Sequence, residues 1–402
     1  MEEVVSMKKF LVLMLTLAMV LSLALTGCGK KNNVIKIGVF EPASGDNGAG
    51  GKQEVLGIRY ANQVVPSVEI GGQTYDIELV EVDNQSDTSK AVSAAQSLVS
   101  AKVSVVLGSY GSGVSIAAGE IFSDAGIPAI GCSCTNPQVT AGNDYYYRVC
   151  FLDPFQGTVM ANFAMDEFGA KKAYVLTQLG DDYSAGLGNY FAEAFEKMGG
   201  EVVTADFPEG SSDFTAYLTA AKKENADVFF CPTSTTVASY VITQAVAEGL
   251  DMPLLAGDTW ENSAIINAAV GTDAEVYLST FFDENDTTST VAADFVKGFK
   301  EFLNADAKNL TNNGDNDIVA AVSALGYDAY MTAVEAIKAA DSADPEAIKD
   351  ALAGVSYDGV TGSITFNETG DANKDMAYIK TVDATGDGAF VFLKTQSVAD
   401  ID

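Results

Sequence analysis

A strand–loop–helix rhythm runs through this chain twice, and few folds accommodate it. At 34–40 the sequence Val34-Ile35-Lys36-Ile37-Gly38-Val39-Phe40 alternates and then becomes continuously apolar, as a strand entering a core does. The Gly-rich stretch 41–51 reads as a flexible loop, and 53–64 as a helix. A strand at 75–82, a helix at 88–101, a strand at 103–107, a helix at 115–122 and a short strand at 127–130 continue the series. The pattern restarts at Ala173. Strands at 173–177, 201–207, 226–231 and 253–257 alternate with helices at 188–198, 213–224 and 237–248. This succession predicts an α/β fold of two doubly wound parallel-sheet lobes with helices on both faces. After a strand at 277–282 come helices at 291–303, 318–340 and 345–353, and then β structure with Gly, Asp and Asn turns over 361–394. In open parallel sheets ligands sit beyond the carboxyl ends of the strands. The loops 41–51, 109–115 and 131–137 fall there.

Composition narrows the chemistry. The chain has 402 residues and is 48% hydrophobic, enough for two or three packed domains. Its net charge of −32 argues against nucleic acid or an anionic membrane surface as partner, because phosphate neutralisation needs Lys and Arg. There is no histidine, which removes His-based triads, His general bases and His-containing zinc sites. The five cysteines (Cys28, Cys132, Cys134, Cys150 and Cys231) form no Cys-X-X-Cys pair, so no disulfide framework is predicted. Cys132, Cys134 and Cys231 adjoin apolar runs and read as small buried residues. Gly51-Lys52 is followed by Gln53, with no glycine five positions before Gly51, so the first loop is not a phosphate loop. The acidic run from Asn312 to Asp317 lacks the downstream Glu of an EF-hand and reads as a helix-entry turn. No cofactor and no metal are expected.

The N-terminus reads as a targeting segment. Lys8-Lys9 precedes an apolar stretch at 10–25, slightly short for a membrane span, and Leu25-Thr26-Gly27-Cys28 follows. Small residues before a cysteine at the end of such a stretch resemble the bacterial lipoprotein lipobox. The resemblance implies a signal peptide at 1–27, cleavage before Cys28, lipid on the Cys28 sulfur and a tether at 28–33. Translation starts at Met1 or at Met7, since Met1-Glu2-Glu3 is an unusual opening for a signal peptide.

The loop after the strand at 103–107 is the most telling part of the chain. An apolar run stops at Gly108, a Ser/Gly loop follows, and a helix begins near Ser115. The first N–H groups of a helix have no internal partner and carry partial positive charge, so such a turn suits an anion. Two readings stand: the loop grips a ligand carboxylate, or it is a tight turn with Ser112 or Ser115 as helix cap. A nucleophilic elbow is excluded, because Tyr110-Gly111-Ser112-Gly113-Val114 does not match G-x-S-x-G and no histidine activates the serine. No enzyme activity is expected.

Several segments together resemble the bacterial leucine/isoleucine/valine-binding proteins, the amino-acid-binding components of ABC importers with the type I periplasmic-binding-protein fold. They include Ile35 to Phe40 with Ser44-Gly45, Asp83 and Asp87, Val106-Leu107-Gly108, Ile127-Pro128-Ala129-Ile130 and Thr135-Asn136-Pro137. Tyr145 to Arg148 with Asp153 and Gln156-Gly157, Asp182-Tyr183, and Leu255-Ala256-Gly257-Asp258-Thr259-Trp260 complete the set. The resemblance implies two lobes joined by a three-stranded hinge, with crossings near 151–154, 282–284 and 357–361. The first lobe would comprise 34–152 plus 284–357, and the second 153–283 plus 358–402. It implies that Ser112, with Gly111, Ser133 and Thr135, holds the ligand's α-carboxylate, and that Asp258 or Glu261 meets the ammonium. Tyr183 would close over the ligand, and Thr233 and Trp260 would line the cleft. Gly50 and Pro232-Thr233 stand where some relatives carry aromatics, so the side-chain pocket differs and leucine is not to be assumed.

The expected partners are then a small amino acid, an ABC permease with its cytoplasmic ATPase, and the outer face of the cytoplasmic membrane through the lipid on Cys28. The expected state is a monomer. The alternative is a ligand-sensing receptor module of the same fold, binding an amino acid, an amide or another small carboxylate. Such a receptor would continue into a membrane span and a signalling domain. The sequence ends at Asp402 with neither, which favours the tethered transport component.

Overall fold

The structure, a computed structural model, describes residues 33–286, 289–386 and 388–397. Cys28 and the 1–27 targeting segment lie outside the described residues. The first half runs β1 (Val34–Glu41), α1 (Gly48–Val64), β2 (Ser67–Ile70), β3 (Gln73–Asp83), α2 (Thr88–Ala101), β4 (Val105–Leu107), α3 (Ser112–Asp124), β5 (Ala129–Gly131) and β6 (Tyr146–Arg148). These six strands form one sheet in the order β2-β3-β1-β4-β5-β6, with β1, β4, β5 and β6 parallel and β2–β3 an antiparallel hairpin. The strand order reverses at β1 and β4, and the opening between their carboxyl ends is where such a sheet receives a ligand.

The second half runs α4 (Asp153–Phe168), β7 (Lys172–Gln178), α5 (Asp182–Lys197), β8 (Glu201–Phe207), α6 (Thr215–Glu224), β9 (Val228–Phe230), α7 (Thr235–Ala247), β10 (Leu254–Ala256), α8 (Ser263–Ala269) and β11 (Val276–Thr280). Helices α9 (Thr290–Ala305), α10 (Ala307–Asn312), α11 (Ala321–Ala340) and α12 (Pro345–Leu352) follow. The hairpin β12 (Ser356–Gly359) and β13 (Gly362–Thr365), then β14 (Met376–Val382) and β15 (Phe390–Ser397), close the chain. The second sheet has the order β15-β14-β11-β10-β9-β7-β8, parallel except for β14 and β15. The α/β fold of two doubly wound lobes is thus present, with an antiparallel addition at one edge of each sheet.

Three elements start earlier than the sequence suggests. Helix α1 begins at Gly48, α3 at Ser112 and α5 at Asp182. The glycines at 48–51 are therefore the first turn of a helix and not a flexible loop. They are there for close approach: a Cβ on Gly51 would collide with the Pro42 carbonyl, and one on Gly50 with the Tyr110 ring. The strands β2 and β6, of four and three residues, are not among the expected elements.

The chain crosses between lobes three times. Phe151, on the first crossing, packs on Phe281, on the second, with ring centroids 4.3 Å apart. Helix α11 then lies against α1, where the Ser323 hydroxyl donates to the Gln53 carbonyl at 2.8 Å and Asn62 donates to the Tyr330 hydroxyl at 2.9 Å. The β12–β13 hairpin packs on α9 and α11, and the chain regains the second sheet only at β14. The third crossing therefore runs through the segment between Thr365 and Met376 and not through 357–361. A tight hairpin at Gly359–Gly362 keeps the chain on the first lobe for one more strand.

Arg148 ties the first and third crossings together. It is fully buried; its Nε donates to Asp371 at 2.6 Å, and its two NH groups donate to the carbonyls of Cys134 and Asn136 and to the Thr140 hydroxyl. Removing one partner of a buried ion pair leaves the other desolvated and unpaired, a loss of about 3–5 kcal/mol. Asp371→Ala is expected to lower stability by that amount in denaturant unfolding, whereas Arg59→Ala, whose pair with Glu81 is partly exposed, should cost under about 1 kcal/mol. Equal losses would remove the buried pair's claimed importance.

Candidate functional site

A cavity opens between the carboxyl ends of the two sheets. Tyr110, Gly111 and Ser112 line it from the first lobe, and Asp181, Tyr183, Asp258 and Thr259 from the second. The lobes touch around it. Asn136 Nδ2 donates to the Asp182 carbonyl at 2.7 Å, Thr236 Oγ1 to the Asp46 carbonyl at 3.1 Å, and Asn262 Nδ2 to Gln53 Oε1 at 2.9 Å.

The β4–α3 turn builds the first wall. Gly108 takes φ +111°, and a Cβ there would strike the Phe40 carbonyl and the Glu41 carboxylate. The turn delivers the chain to Gly111 as helix N-cap, with no side-chain cap. Neither serine caps the helix. Ser115 Oγ bonds back to the Gly111 carbonyl at 2.8 Å, and Ser112 occupies the first helical position. Ser112 Oγ accepts the Asn136 N–H at 3.2 Å, joining this loop to the next. The free N–H groups of the first turn of α3 therefore face the cavity beside the Ser112 hydroxyl.

The opposite wall presents a carboxylate. Asp258 begins a 3₁₀ turn after β10 and is buried. Its Oδ1 accepts from Gln156 Nε2 at 2.9 Å and from the Tyr183 hydroxyl at 3.0 Å, while its Oδ2 makes no hydrogen bond to a described residue. Burial pushes the carboxyl up to about 6. Glu261, the other acid considered for an ammonium, is already engaged. Its Oε1 accepts from Lys380 at 2.6 Å and its Oε2 from Thr280 at 2.5 Å. Lys380 also pairs with Asp283, so both Glu261 oxygens are engaged within the protein.

The remaining sequence-predicted residues divide. Gly111, Ser112, Tyr183 and Asp258 meet at the cavity. Ser133 does not line it; its hydroxyl donates to Glu54. Thr135 is fully buried beside Asp153, and neither side chain finds another partner among the described residues. Thr233 is buried; its carbonyl accepts the Thr259 hydroxyl at 2.7 Å. Trp260 belongs to the core under the second sheet and is not a cavity wall. The 3₁₀ turn explains this: with about three residues per turn, Asp258 and Trp260 point in different directions, so the acid facing the cavity sends the indole inward.

Residues the sequence reading gave no role stand around these. Gln156 holds Asp258 and Ser279 together. Tyr110 lines the cavity. Asp153 is buried at the start of α4, and burial pushes its carboxyl up to about 8. Glu41 and Glu54 face each other beneath the first wall, with Cys132 alongside. Glu41 accepts the Tyr110 N–H at 2.7 Å, and burial pushes it up to about 8; Glu54 is raised further, by burial and by Glu41. Each carboxyl thereby disfavours ionisation of the other. The one signal in the sequence was that Glu41 ends an apolar strand; Glu54, next to Lys52 and Gln53, gave none.

Comparisons with known proteins agree with this fold. A family model described as "Periplasmic binding protein" matches residues 34–387. The Leu/Ile/Val-binding protein homolog 3 of Brucella melitensis is 29% identical over 349 residues, covering 84% of this chain and 88% of its own. The crystal structure of a leucine binding protein, LivK from Thermotoga maritima, superposes with a TM-score of 0.82 at 32% identity, over 91% of this chain and 100% of that one. LivJ of Streptococcus pneumoniae, a branched-chain amino acid transporter substrate binding protein solved with isoleucine, gives 0.77 at 28% identity, over 91% and 99%.

The buried acids make stability pH-dependent. Glu41 binds its proton up to about 8 in the folded chain, whereas an unfolded Glu releases it near 4.5. This contribution is fully present below the unfolded value and is lost as pH rises through 8. The ligand-free protein is expected to melt at lower temperature at pH 8 than at pH 5.5, with a shallower slope in Glu41→Gln. A variant slope equal to that of the parent would show that the pair shares no proton.

Proposed function

This chain belongs to the periplasmic binding protein family, and from that membership we propose that it binds an α-amino acid, branched-chain or related, as the substrate-binding component of an ABC importer. The observation that carries the reading is the pairing across the cavity. The N-terminus of α3 with Ser112 offers uncharged donors on one side, and Asp258, held by Tyr183 and Gln156, offers a carboxylate on the other. That is the complement of a zwitterion. No Lys or Arg lines the cavity among the described residues. A plain carboxylate would leave Asp258 unpaired in a buried site, which disfavours the alternative of a small acid without an amine. The ligand touches both lobes and so stabilises the closed arrangement, which then docks on the permease.

The finer parts of the reading follow from the same membership. Ser112 takes the α-carboxylate, with Gly111 and the 131–137 loop completing its surroundings; Asp258 takes the ammonium; Tyr183 closes over it. The protein acts outside the cytoplasm as a monomer and catalyses nothing. The lobes divide near 152 and 284, with the return to the second lobe after β13. The segment ending at Cys28 is a lipoprotein signal, and the lipid on Cys28 tethers the protein to the outer face of the cytoplasmic membrane. Cys28→Ala should move the protein from the membrane fraction to the soluble fraction; an unchanged distribution counts against the anchor.

Titration calorimetry against a panel of amino acids tests the site. Ser112→Ala should weaken binding by about 1.5–3 kcal/mol, the worth of a hydrogen bond to a charged group. Asp258→Asn should cost about 2–5 kcal/mol. Affinity should fall as pH drops from 7 to 5, because Asp258 takes up a proton near 6 and loses its charge for the ammonium. The Asp258→Asn protein should lose that dependence. Undiminished binding by both variants would move the site elsewhere.

A further inference from the structure

An acid that meets a ligand has to present one oxygen and keep it in place. Asp258 stands on a three-residue 3₁₀ turn between β10 and α8, and the two side chains that hydrogen-bond its carboxylate come from outside that turn. Gln156 and Tyr183 both donate to Oδ1. Gly257 makes room for them. A Cβ there would lie 2.6 Å from the Tyr183 hydroxyl oxygen and 2.9 Å from Gln156 Nε2, so any other residue before Asp258 would push a donor off Oδ1.

Gln156 does more than the tyrosine. A primary amide nitrogen carries two N–H groups, and the second is spent on Ser279 Oγ at 3.0 Å. Gln156, Ser279 and Asp258 are all buried, so water does not compete for these bonds. Ser279 lies at the end of β11, two residues before Phe281, whose ring packs on Phe151 of the first crossing. Gln156 itself lies in the first turn of α4, directly after that crossing. One amide therefore ties the acid to the two segments that carry the chain between the lobes.

We propose that Gln156 is the positioning residue for the ammonium: its amide pins Asp258 Oδ1 against β11 and the start of α4, so that Oδ2 is presented to the ligand at a place set by the chain crossings. This rests on the amino-acid reading above and deepens it. Gln156 does not line the cavity and acts through Asp258.

Burial raises the Asp258 carboxyl to about 6, and the hydrogen bonds from Gln156 and Tyr183 pull it down. Loss of the amide N–H groups raises it further, because they favour the ionised form. The other titratable groups around Asp258 are Glu261 on its own turn, Tyr183 on α5, Tyr110 after β4, Asp153 on α4, Glu54 on α1 and Cys150 after β6. The variants below change none of them, so their titration is common to every protein compared.

The test is titration calorimetry of the full chain from pH 5 to pH 9 with leucine, isoleucine, valine, threonine and alanine, read on whichever binds tightest. Gln156→Leu nearly conserves volume and removes both N–H groups. At pH 8 it should bind roughly tenfold more weakly than wild type, the worth of one hydrogen bond to a charged group. The midpoint at which affinity falls should lie at higher pH in the variant. The two proteins should converge towards pH 5, where the acid is neutral in both. Ser279→Ala leaves both donors to Asp258 in place and removes only the anchor of the amide; it should weaken binding roughly two- to threefold at pH 8, with the same convergence. If Gln156→Leu fails to fold, Ser279→Ala decides alone. Wild-type affinity in either variant at pH 8 overturns the proposal, as does a loss by the same factor at every pH. Binding of none of the five amino acids by wild type would instead bring down the amino-acid reading, and this proposal with it.

Discussion

A guanidinium without access to water sits at the junction of the two lobes. Arg148 ends β6, and its donors go to Asp371, Thr140 and the carbonyls of Cys134 and Asn136. Burying this charge is tolerable only because every direction of the planar fork meets an acceptor. The consequence is geometric. The loop after β5, the end of β6 and the third crossing become one rigid piece. The Asn136 N–H, held in that piece, donates to Ser112 Oγ. The first wall of the cavity is thereby registered against the hinge, so a change in hinge angle carries the β4–α3 turn with it as a body.

Electrostatics inside the cleft run against the grain of the whole chain. The protein carries a net charge of −32, and its buried acids, Glu41, Glu54, Asp153 and Asp258, cluster around the cavity without a cation among its lining residues. Lys380 neutralises Glu261 but lies behind it, engaged with Asp283. Burial raises the pKa of each of these four acids, with Glu41 and Asp153 reaching about 8 and Asp258 about 6. Of these four, Asp258 lines the cavity and stays nearest the ordinary carboxylate range, and on the reading proposed above it would meet the ammonium.

How far the sequence could be read depended on whether the controlling interaction was local. Periodic apolar spacing marked most helices and the parallel strands, because those elements are set by burial of one face. It missed β6, a three-residue strand ending in a buried arginine, and β2, a hairpin arm on the sheet edge. Glycines at 48–51 looked like freedom and proved to be clearance, since only the fold reveals that Tyr110 and Pro42 approach them. Ser112 was legible as part of a turn after a strand end, whereas Tyr183 and Asp258 were named only through the family resemblance; all three line the cavity. Trp260 was misplaced because a single 3₁₀ turn decides which neighbour faces inward. The meeting of Glu41 with Glu54, and of Gln156 with Asp258, depends on packing between elements that no local pattern encodes.

The same contacts bear on closure. Asn136 to Asp182, Thr236 to Asp46 and Asn262 to Gln53 bridge the lobes at the rim through neutral donors. Each such bond nets about 0.5–1.5 kcal/mol, so together they bias the closed arrangement without locking it. A ligand shifts that balance only by binding the closed form better than the open one. The turn of α3 alone could hold a carboxylate in either form. On the reading proposed above, Asp258 lies on the lobe opposite that turn, so an ammonium there would tie the ligand to the closed arrangement. The acid wall would then favour closing, and the α3 wall would serve capture.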